Sequence, residues 1–195
     1  MRLYYGTPSP YSRKVRVAAH ELSVPLELVA TNALAWDNGF GAINPTNRVP
    51  ALVLDDGRVL FDSPVICEYL DVTCGSKLLP GSGPARWEVL VRQALGDGLM
   101  DAAVPRRYEV LRPNEQQSAE RLRLYRRSLD QIVAHLEAEA DRMDLFDLGA
   151  ISVACALAYL DFRFPEDGWR AQAPRLSAWL EKVVQRPSML ATEYA

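Results

Sequence analysis

Apolar and polar positions alternate in short stretches over the first 79 residues of the chain. Leu3 and Tyr5 alternate with their neighbours as in a strand, and apolar residues recur at helical spacing from Tyr11 to Leu22. Asp55-Asp56-Gly57 is a strong hairpin signal between two further apolar stretches. The remaining predicted segments are strands at 26–29, 50–54 and 58–61, an irregular segment at 32–44, and a helix from Ser63 to about Val72. The predicted order is βαβ, an irregular segment, and ββα.

After a linker rich in glycine and proline at 80–84, the pattern is helical to the end of the chain. Four long helices are predicted. They are Pro84 to Leu111, about Asn114 to Arg142, a helix that begins at the acidic cap Asp144 and runs through Tyr159, and Pro174 to about Gln185. The third is almost wholly apolar from Ile151 to Leu160, so we expect it to form the core of this half. The predicted fold is therefore an α/β domain over 1–79 followed by an all-α domain over 84–195.

Two Ser-Pro dipeptides, Ser9-Pro10 and Ser63-Pro64, each stand between an apolar stretch and a predicted helix. Serine is favoured at the N-cap and proline at the first helical position, so both dipeptides indicate helix starts. A helix start carries free N–H groups and partial positive charge, which favour an anion. Two such starts, with Val49-Pro50 between them in the chain, indicate a small ligand with two anionic groups, such as a thiolate and a carboxylate.

The composition and charge of the chain restrict the classes of function that we expect. The net charge is −3 with a pI of about 5.5, which does not favour nucleic acid or an anionic membrane. No apolar run approaches the roughly 20 residues of a membrane span, no cleavable signal is visible, and we expect a cytoplasmic protein. Three scattered cysteines and two histidines do not form a zinc motif, and no G-x-S-x-G motif of serine hydrolases is present. We therefore expect neither a metal nor a permanently bound cofactor.

Four segments of the sequence resemble the glutathione transferases. The stretch T-P-S-P-Y-S-R-K-V-R at 7–16 is similar to the catalytic segment of their serine-type members. The stretches N-P-T-N-R-V-P-A-L at 44–52 and D-S-P-V-I-C-E-Y-L at 62–70 match the two glutathione-binding segments in order and spacing. The apolar helix from Asp147 to Phe164 resembles the buried helix of bacterial members. The resemblance covers essentially the whole chain and implies a thioredoxin-like domain followed by a helical bundle.

The resemblance makes Ser9 the catalytic residue. A thiol with a pKa near 8.5 is mostly protonated at neutral pH, and a hydroxyl donor at the positive end of a helix favours the thiolate. Ser9 could also simply cap its helix, and the two roles are compatible. Ser12 is the rival donor, and Tyr5 and Tyr11 are further alternatives.

The resemblance also implies the groups that bind glutathione. A cis Val49-Pro50 bond would let the Val49 backbone pair with the cysteinyl part of glutathione. Ser63 would hold the γ-glutamyl carboxylate, Asp62 the neighbouring ammonium, and Arg48 the glycine carboxylate. A strand-edge proline and a solvated loop arginine are the plainer interpretations of Pro50 and Arg48.

The second substrate is poorly specified by the sequence. Candidate walls of its pocket are Tyr11, Trp36, Phe40 and Tyr108, each of which could equally be core. Family resemblance further implies a homodimer. Gly96 and Gly98 would permit close helix approach between subunits, and Asp97 or Asp101 would reach the γ-glutamyl ammonium of the other chain.

We predict a detoxifying transferase in which glutathione, as co-substrate, attacks a small electrophile. The alternatives are glutathione-dependent isomerisation or dehalogenation on the same scaffold, and a stress-response protein that binds glutathione with little turnover.

Overall fold

Four short strands form one mixed sheet in the computed structural model, which describes residues 1–35 and 37–194. The strands are β1 (Arg2–Tyr5), β2 (Glu27–Ala30), β3 (Ala51–Val53) and β4 (Val59–Leu60), in the spatial order β2-β1-β3-β4. β1 runs parallel to β2 and antiparallel to β3, and β3 runs antiparallel to β4. The turn between β3 and β4 contains Gly57 at a φ of 88°, a value that suits glycine, as the Asp-Asp-Gly signal predicted.

The helices fall largely where the apolar spacing predicted them. They are α1 (Pro10–Glu21), α2 (Ser63–Thr73), α3 (Pro84–Val110), α4 (Ala119–Glu139), α5 (Leu148–Arg163), α6 (Trp169–Gln172), α7 (Pro174–Val183) and α8 (Pro187–Leu190). α4 is shorter than predicted, because residues 114–116 form a separate 3-10 turn and Ser118 caps the helix by accepting the N–H of Arg121 at 3.3 Å. The N-cap of α5 is Asp147 rather than the predicted Asp144, since the Asp147 carboxylate accepts the N–H of Ala150 at 2.8 Å.

The chain divides into two compact units. The first contains Met1–Arg86 together with 187–194, and the second contains Trp87–Arg186. The sequence pattern placed the division in the linker and assigned the end of the chain to the helical half. In the structure the division lies inside α3, and α8 packs against α1.

Each unit has its own core. In the first, α1 packs against α2, and Leu3, Val15, Leu52 and Ile66 are fully buried. In the second, α5 is buried along almost its whole length, which confirms the prediction for this helix. A helix that is apolar on every side removes its apolar surface from water only when it is buried on every side.

No single helix among the described residues has the length and apolar character to cross a membrane, although the bent pair Leu148–Arg163 and Pro165–Gln172 passes that test by length and composition.

Candidate functional site

Ser9 caps the N-terminus of α1, as predicted. Its backbone is extended (φ −83°, ψ 120°), its carbonyl accepts the N–H of Arg13 at 3.0 Å, and Pro10 begins the helix. The Ser9 hydroxyl accepts the N–H of Ser12 at 3.2 Å. A serine hydroxyl has one donor proton and two lone pairs, so this bond leaves its O–H able to donate. Ser9 is half-buried and is therefore reachable from solvent.

Ser12, the rival donor, occupies a different environment. It is fully buried, and its hydroxyl accepts the N–H of Gly6 at 3.3 Å. Ser12 thereby ties the end of β1 to the first turn of α1. The two tyrosine alternatives are half-buried, and Tyr5 lies beneath the guanidinium of Arg16, whose Cζ is 5.1 Å from its ring centroid.

The second predicted helix start is displaced by one residue. Asp62 is the N-cap of α2, because its carbonyl accepts the first helical N–H, from Ile66, at 3.0 Å. Ser63 is the first helical residue, 1% exposed, and Pro64 follows it inside the first turn. The Asp62 carboxylate is exposed and makes no capping bond. The N–H groups at the start of α2, which favour an anion, and the exposed carboxylate of Asp62 therefore lie side by side.

The loop before β3 has a cis Val49–Pro50 peptide, as the resemblance implied; the Phe61–Asp62 peptide is also cis. Asn44, buried in this loop, donates from Nδ2 to the Arg48 carbonyl at 2.7 Å, and its Oδ1 accepts the N–H of Thr46 at 3.0 Å. Asn47 has a φ of 51° and donates to the Ala33 carbonyl at 2.7 Å. The sequence analysis did not single out these two asparagines, although N-P-T-N is typical of turns stabilised by asparagine side chains.

Sheet topology brings these segments together. Tyr4 pairs with Ala51, and Leu52 pairs with Leu60. The C-terminal ends of β1 and β4 and the N-terminal end of β3 therefore lie at one edge of the sheet. Ser9, Val49–Pro50 and Asp62–Ser63 follow or precede these ends directly. The close approach is visible at Gly6, where a Cβ would lie 3.2 Å from Cγ2 of Val49.

The exposed polar groups of this edge are unpaired within residues 1–35 and 37–194. The Arg48 guanidinium is exposed and forms no ion pair there, and the Val49 backbone groups form no hydrogen bond. The edge therefore offers a cation, two helix N-termini and one carboxylate, which suits a ligand with two or more anionic groups and one ammonium. In the same part of the chain, no cluster of three or more His, Cys, Asp or Glu side chains is placed to hold a metal ion.

The residues predicted for the second substrate do not share one environment. Phe40 is 3% exposed and packs against Tyr4 with ring centroids 5.7 Å apart, so it offers almost no surface to a ligand. Tyr11 is half-buried on α1, and Tyr108 is 49% exposed on α3 in the second unit. Trp36 lies outside the described residues.

The small residues of α3 pack within the chain itself. A Cβ at Gly96 would lie 2.6 Å from the Ser152 backbone, so this glycine permits close approach of α5, which corrects its predicted role between subunits. Gly98 faces Ile132 of α4, at 3.3 Å from the position of its Cβ. Asp97 accepts the Ser152 hydroxyl at 2.8 Å, while Asp101 is exposed.

Two family models match the chain. Residues 8–73 match "Glutathione S-transferase, N-terminal domain" and residues 115–182 match "Glutathione S-transferase, C-terminal domain". The chain is 34% identical over 198 residues to the uncharacterized GST-like protein YibF of Escherichia coli K12, covering 99% of this chain and 98% of that protein.

Solved structures give the same result. The chain is similar to a glutathione transferase family member from Pseudomonas fluorescens Pf-5 with bound glutathione, at 44% identity and a TM-score of 0.93, covering 100% of this chain and 98% of that one. A second structure from P. fluorescens Pf-5, with bound S-(propanoic acid)-glutathione, is similar at 43% identity and a TM-score of 0.88, covering 100% of both chains.

The chain therefore belongs to the glutathione S-transferase family, with the thioredoxin-like and helical domains of that fold. Glutathione transferase function follows from this membership together with the glutathione-bound structures it resembles.

Proposed function

We propose that Ser9 stabilises the thiolate of bound glutathione, which then attacks a small electrophile. One observation carries this proposal, namely that a half-buried hydroxyl with a free donor proton caps a helix at the same sheet edge as two further anion-favouring groups. The thiol gives up its proton to solvent, the Ser9 O–H donates to the sulfur anion, and the helix N-terminus adds partial positive charge. The sulfur then forms a bond to an electrophilic carbon, which either releases its leaving group as an anion or, in a conjugated double bond, passes the π electron pair to a neighbouring atom that takes a proton from water.

Ser9 is favoured over Ser12 by exposure. Ser12 is fully buried, whereas Ser9 is half-buried. A donor to a ligand sulfur must reach the ligand, and Ser9 is the more accessible of the two serines. We assign Ser12 the supporting role of fixing the loop between β1 and α1.

The other groups of the edge match the parts of glutathione one by one. The γ-glutamyl carboxylate would bind at the α2 N-terminus with Ser63, and its ammonium would bind the exposed Asp62 carboxylate. The cysteinyl backbone would pair with the free N–H and C=O of Val49, and the Arg48 guanidinium would bind the glycine carboxylate. Asn44 and Asn47 would act by holding the loop that carries Arg48 and Val49.

We propose a homodimer on the basis of exposed apolar side chains. Val65 and Val72, seven residues apart on α2, are 47% and 58% exposed, and Trp87 and Val91, four apart on α3, are 65% and 60% exposed. Residues with these spacings share a helix face, and apolar faces of this kind are typical of interfaces. We assign a second copy of the chain as their partner. In that dimer, the exposed Asp101 would contact the γ-glutamyl ammonium of the other subunit.

A binding and turnover experiment tests the catalytic proposal. Titration calorimetry measures glutathione affinity, and a panel of model electrophiles then measures conjugation by the wild type and the Ser9→Ala variant. The panel includes small acidic electrophiles, because the similar P. fluorescens structure holds a glutathione conjugate that carries a propanoic acid. We expect binding and conjugation in the wild type and loss of conjugation in the variant. If the wild type binds glutathione but converts none of the electrophiles, the result would instead support the alternative of a glutathione-binding protein with little turnover.

A further inference from the structure

Asn47 lies directly before Arg48 and joins this loop to a distant segment of the same unit. Its side chain is buried, and its Nδ2 donates to the carbonyl of Ala33, 14 residues earlier in the chain, at 2.7 Å. The side chain of Asn44 differs, because its bonds stay within its own turn, at Thr46 and at the Arg48 carbonyl. The backbone on the N-terminal side of Arg48 is therefore fixed to another part of the fold.

The backbone conformation of Asn47 does not by itself require asparagine. Its φ of 51° lies in the left-handed region, which glycine adopts without strain and asparagine tolerates. A glycine would satisfy the backbone, but it has no side chain to reach the Ala33 carbonyl. Asparagine side chains in turns ordinarily bond to their own backbone two residues further on. The bond from Asn47 reaches a separate segment instead, so it joins two segments and does not close the turn.

The Ala33 carbonyl belongs to a segment that is held at the end of β1. The Thr31 N–H donates to the Tyr5 carbonyl at 2.8 Å, which continues the parallel pairing of β1 with β2. From Tyr5 the chain turns directly into Ser9, whose N–H donates to the Gly6 carbonyl at 3.0 Å. The bond at the Ala33 carbonyl therefore connects the loop before β3 to the same part of the backbone that carries Ser9.

We infer that Asn47 is a positioning residue, which fixes Arg48 relative to Ser9 and thereby makes the protein select glutathione over shorter γ-glutamyl thiols. The inference rests on the proposed function, in which Ser9 binds the sulfur and Arg48 binds the glycine carboxylate. γ-Glutamylcysteine has the same γ-glutamyl and thiol groups, but it ends one residue earlier, so its carboxylate lies about 3.8 Å of chain nearer to the sulfur.

The selection follows from the exposure of Arg48 and the fixed backbone before it. An exposed arginine on a free loop can follow either carboxylate, and ordering it on binding costs conformational entropy. An arginine on a fixed loop pays less of this cost for the carboxylate at the matching distance, and it cannot follow the nearer one equally well. The bond from Asn47 to the Ala33 carbonyl therefore favours the longer thiol.

The test compares the affinities for glutathione and γ-glutamylcysteine, measured by titration calorimetry, in the wild type and in Asn47→Gly. This variant accommodates the positive φ and removes the side-chain bond. We expect the affinity for glutathione to fall about 3- to 10-fold, and the affinity for γ-glutamylcysteine to change by less than about 2-fold. A merely structural role predicts an equal loss for both thiols. That result, or no loss for either, would overturn the inference.

Asn38→Ala is the matched control. It removes a bond of the same kind and length, from Nδ2 of Asn38 to the Asn32 carbonyl at 2.7 Å, in the segment that also contains Ala33. We expect it to leave the ratio of the two affinities unchanged. A fall in this ratio as large as in Asn47→Gly would mean that general loosening of the segment is the cause, and it would count against the inference.

A double-mutant cycle connects the effect to the guanidinium. In an Arg48→Ala background, Asn47→Gly should no longer change the ratio of the two affinities, because the group that Asn47 positions is gone. A ratio that still falls by the same factor would refute the role of Asn47. If Asn47→Gly does not fold, Asn47→Asp takes its place, since aspartate tolerates the same φ and its carboxylate has no N–H to donate.

The wild-type affinities separate this inference from the proposed function. Absence of glutathione binding refutes the proposed function itself. Equal affinity of the wild type for the two thiols refutes the selection and the inference with it. Preferential binding of glutathione that persists in Asn47→Gly refutes only the role of Asn47.

Discussion

Replacing Ser9 by alanine should separate two roles that one hydroxyl combines. The Ser9 hydroxyl accepts the Ser12 N–H at 3.2 Å, and loss of such a cap destabilises a protein by about 1 kcal/mol. For a chain of this size that corresponds to a fall in Tm of about 2–4 °C. Loss of a donor positioned at the reacting sulfur should also lower conjugation by about 10²–10⁴-fold, with little change in glutathione affinity.

Ser118→Ala is the matched control for capping. Ser118 caps α4 with the same geometry, accepting the Arg121 N–H at 3.3 Å, and lies in the second unit. We expect both variants to lose similar stability, measured by thermal unfolding, and only Ser9→Ala to lose conjugation. The pH at which activity rises should move upward in Ser9→Ala, toward the titration of free thiol near 8.5. Full activity in Ser9→Ala together with lost activity in Ser12→Ala would refute our assignment and transfer the role to Ser12.

The remaining predictions concern affinity, assembly and packing. Ser63→Ala should weaken glutathione binding by about 1–3 kcal/mol in calorimetry, since it removes a charge-assisted hydrogen bond, and equal affinity would leave Ser63 a structural residue only. Arg48→Ala should weaken binding by an amount that shrinks as salt is added, because the side chain is exposed; a salt-independent effect contradicts a Coulombic contact. Sedimentation at micromolar concentration should show a dimer, and a monomer would contradict the proposed assembly. Asp101→Asn should weaken glutathione binding while the protein stays dimeric, and an unchanged affinity would contradict the proposed contact of Asp101 with the ligand. Gly96→Ala should lower stability by about 1–3 kcal/mol through overpacking against Ser152, and an unchanged Tm would mean that α5 shifts freely.

Local sequence signals predicted most of the first unit. The strands and both helix starts of this unit could be predicted from the sequence because their signals depend on neighbouring residues alone. These signals are the two Ser-Pro dipeptides, the Asp-Asp-Gly turn and the short stretches of alternating apolar and polar residues. The cap of α2 was displaced by one residue because Asp62 and Ser63 are both good N-cap residues. Only the backbone shows that Asp62 accepts the first helical bond.

The errors arose where distant segments meet. Phe40 was assigned to a pocket because its loop resembles a ligand loop, whereas the sheet residue Tyr4 covers it. Gly96 was assigned to a subunit contact because a small residue indicates close approach without identifying the neighbour, which is α5.

The most direct test of the central claim is the thiol pKa of glutathione bound to the wild-type protein, measured by the pH dependence of thiolate absorbance. If the Ser9 hydroxyl and the α1 N-terminus stabilise the thiolate, this pKa lies at least about one unit below the value near 8.5 of a free thiol and rises toward it in Ser9→Ala. A bound thiol that titrates like free glutathione in both proteins would contradict the account.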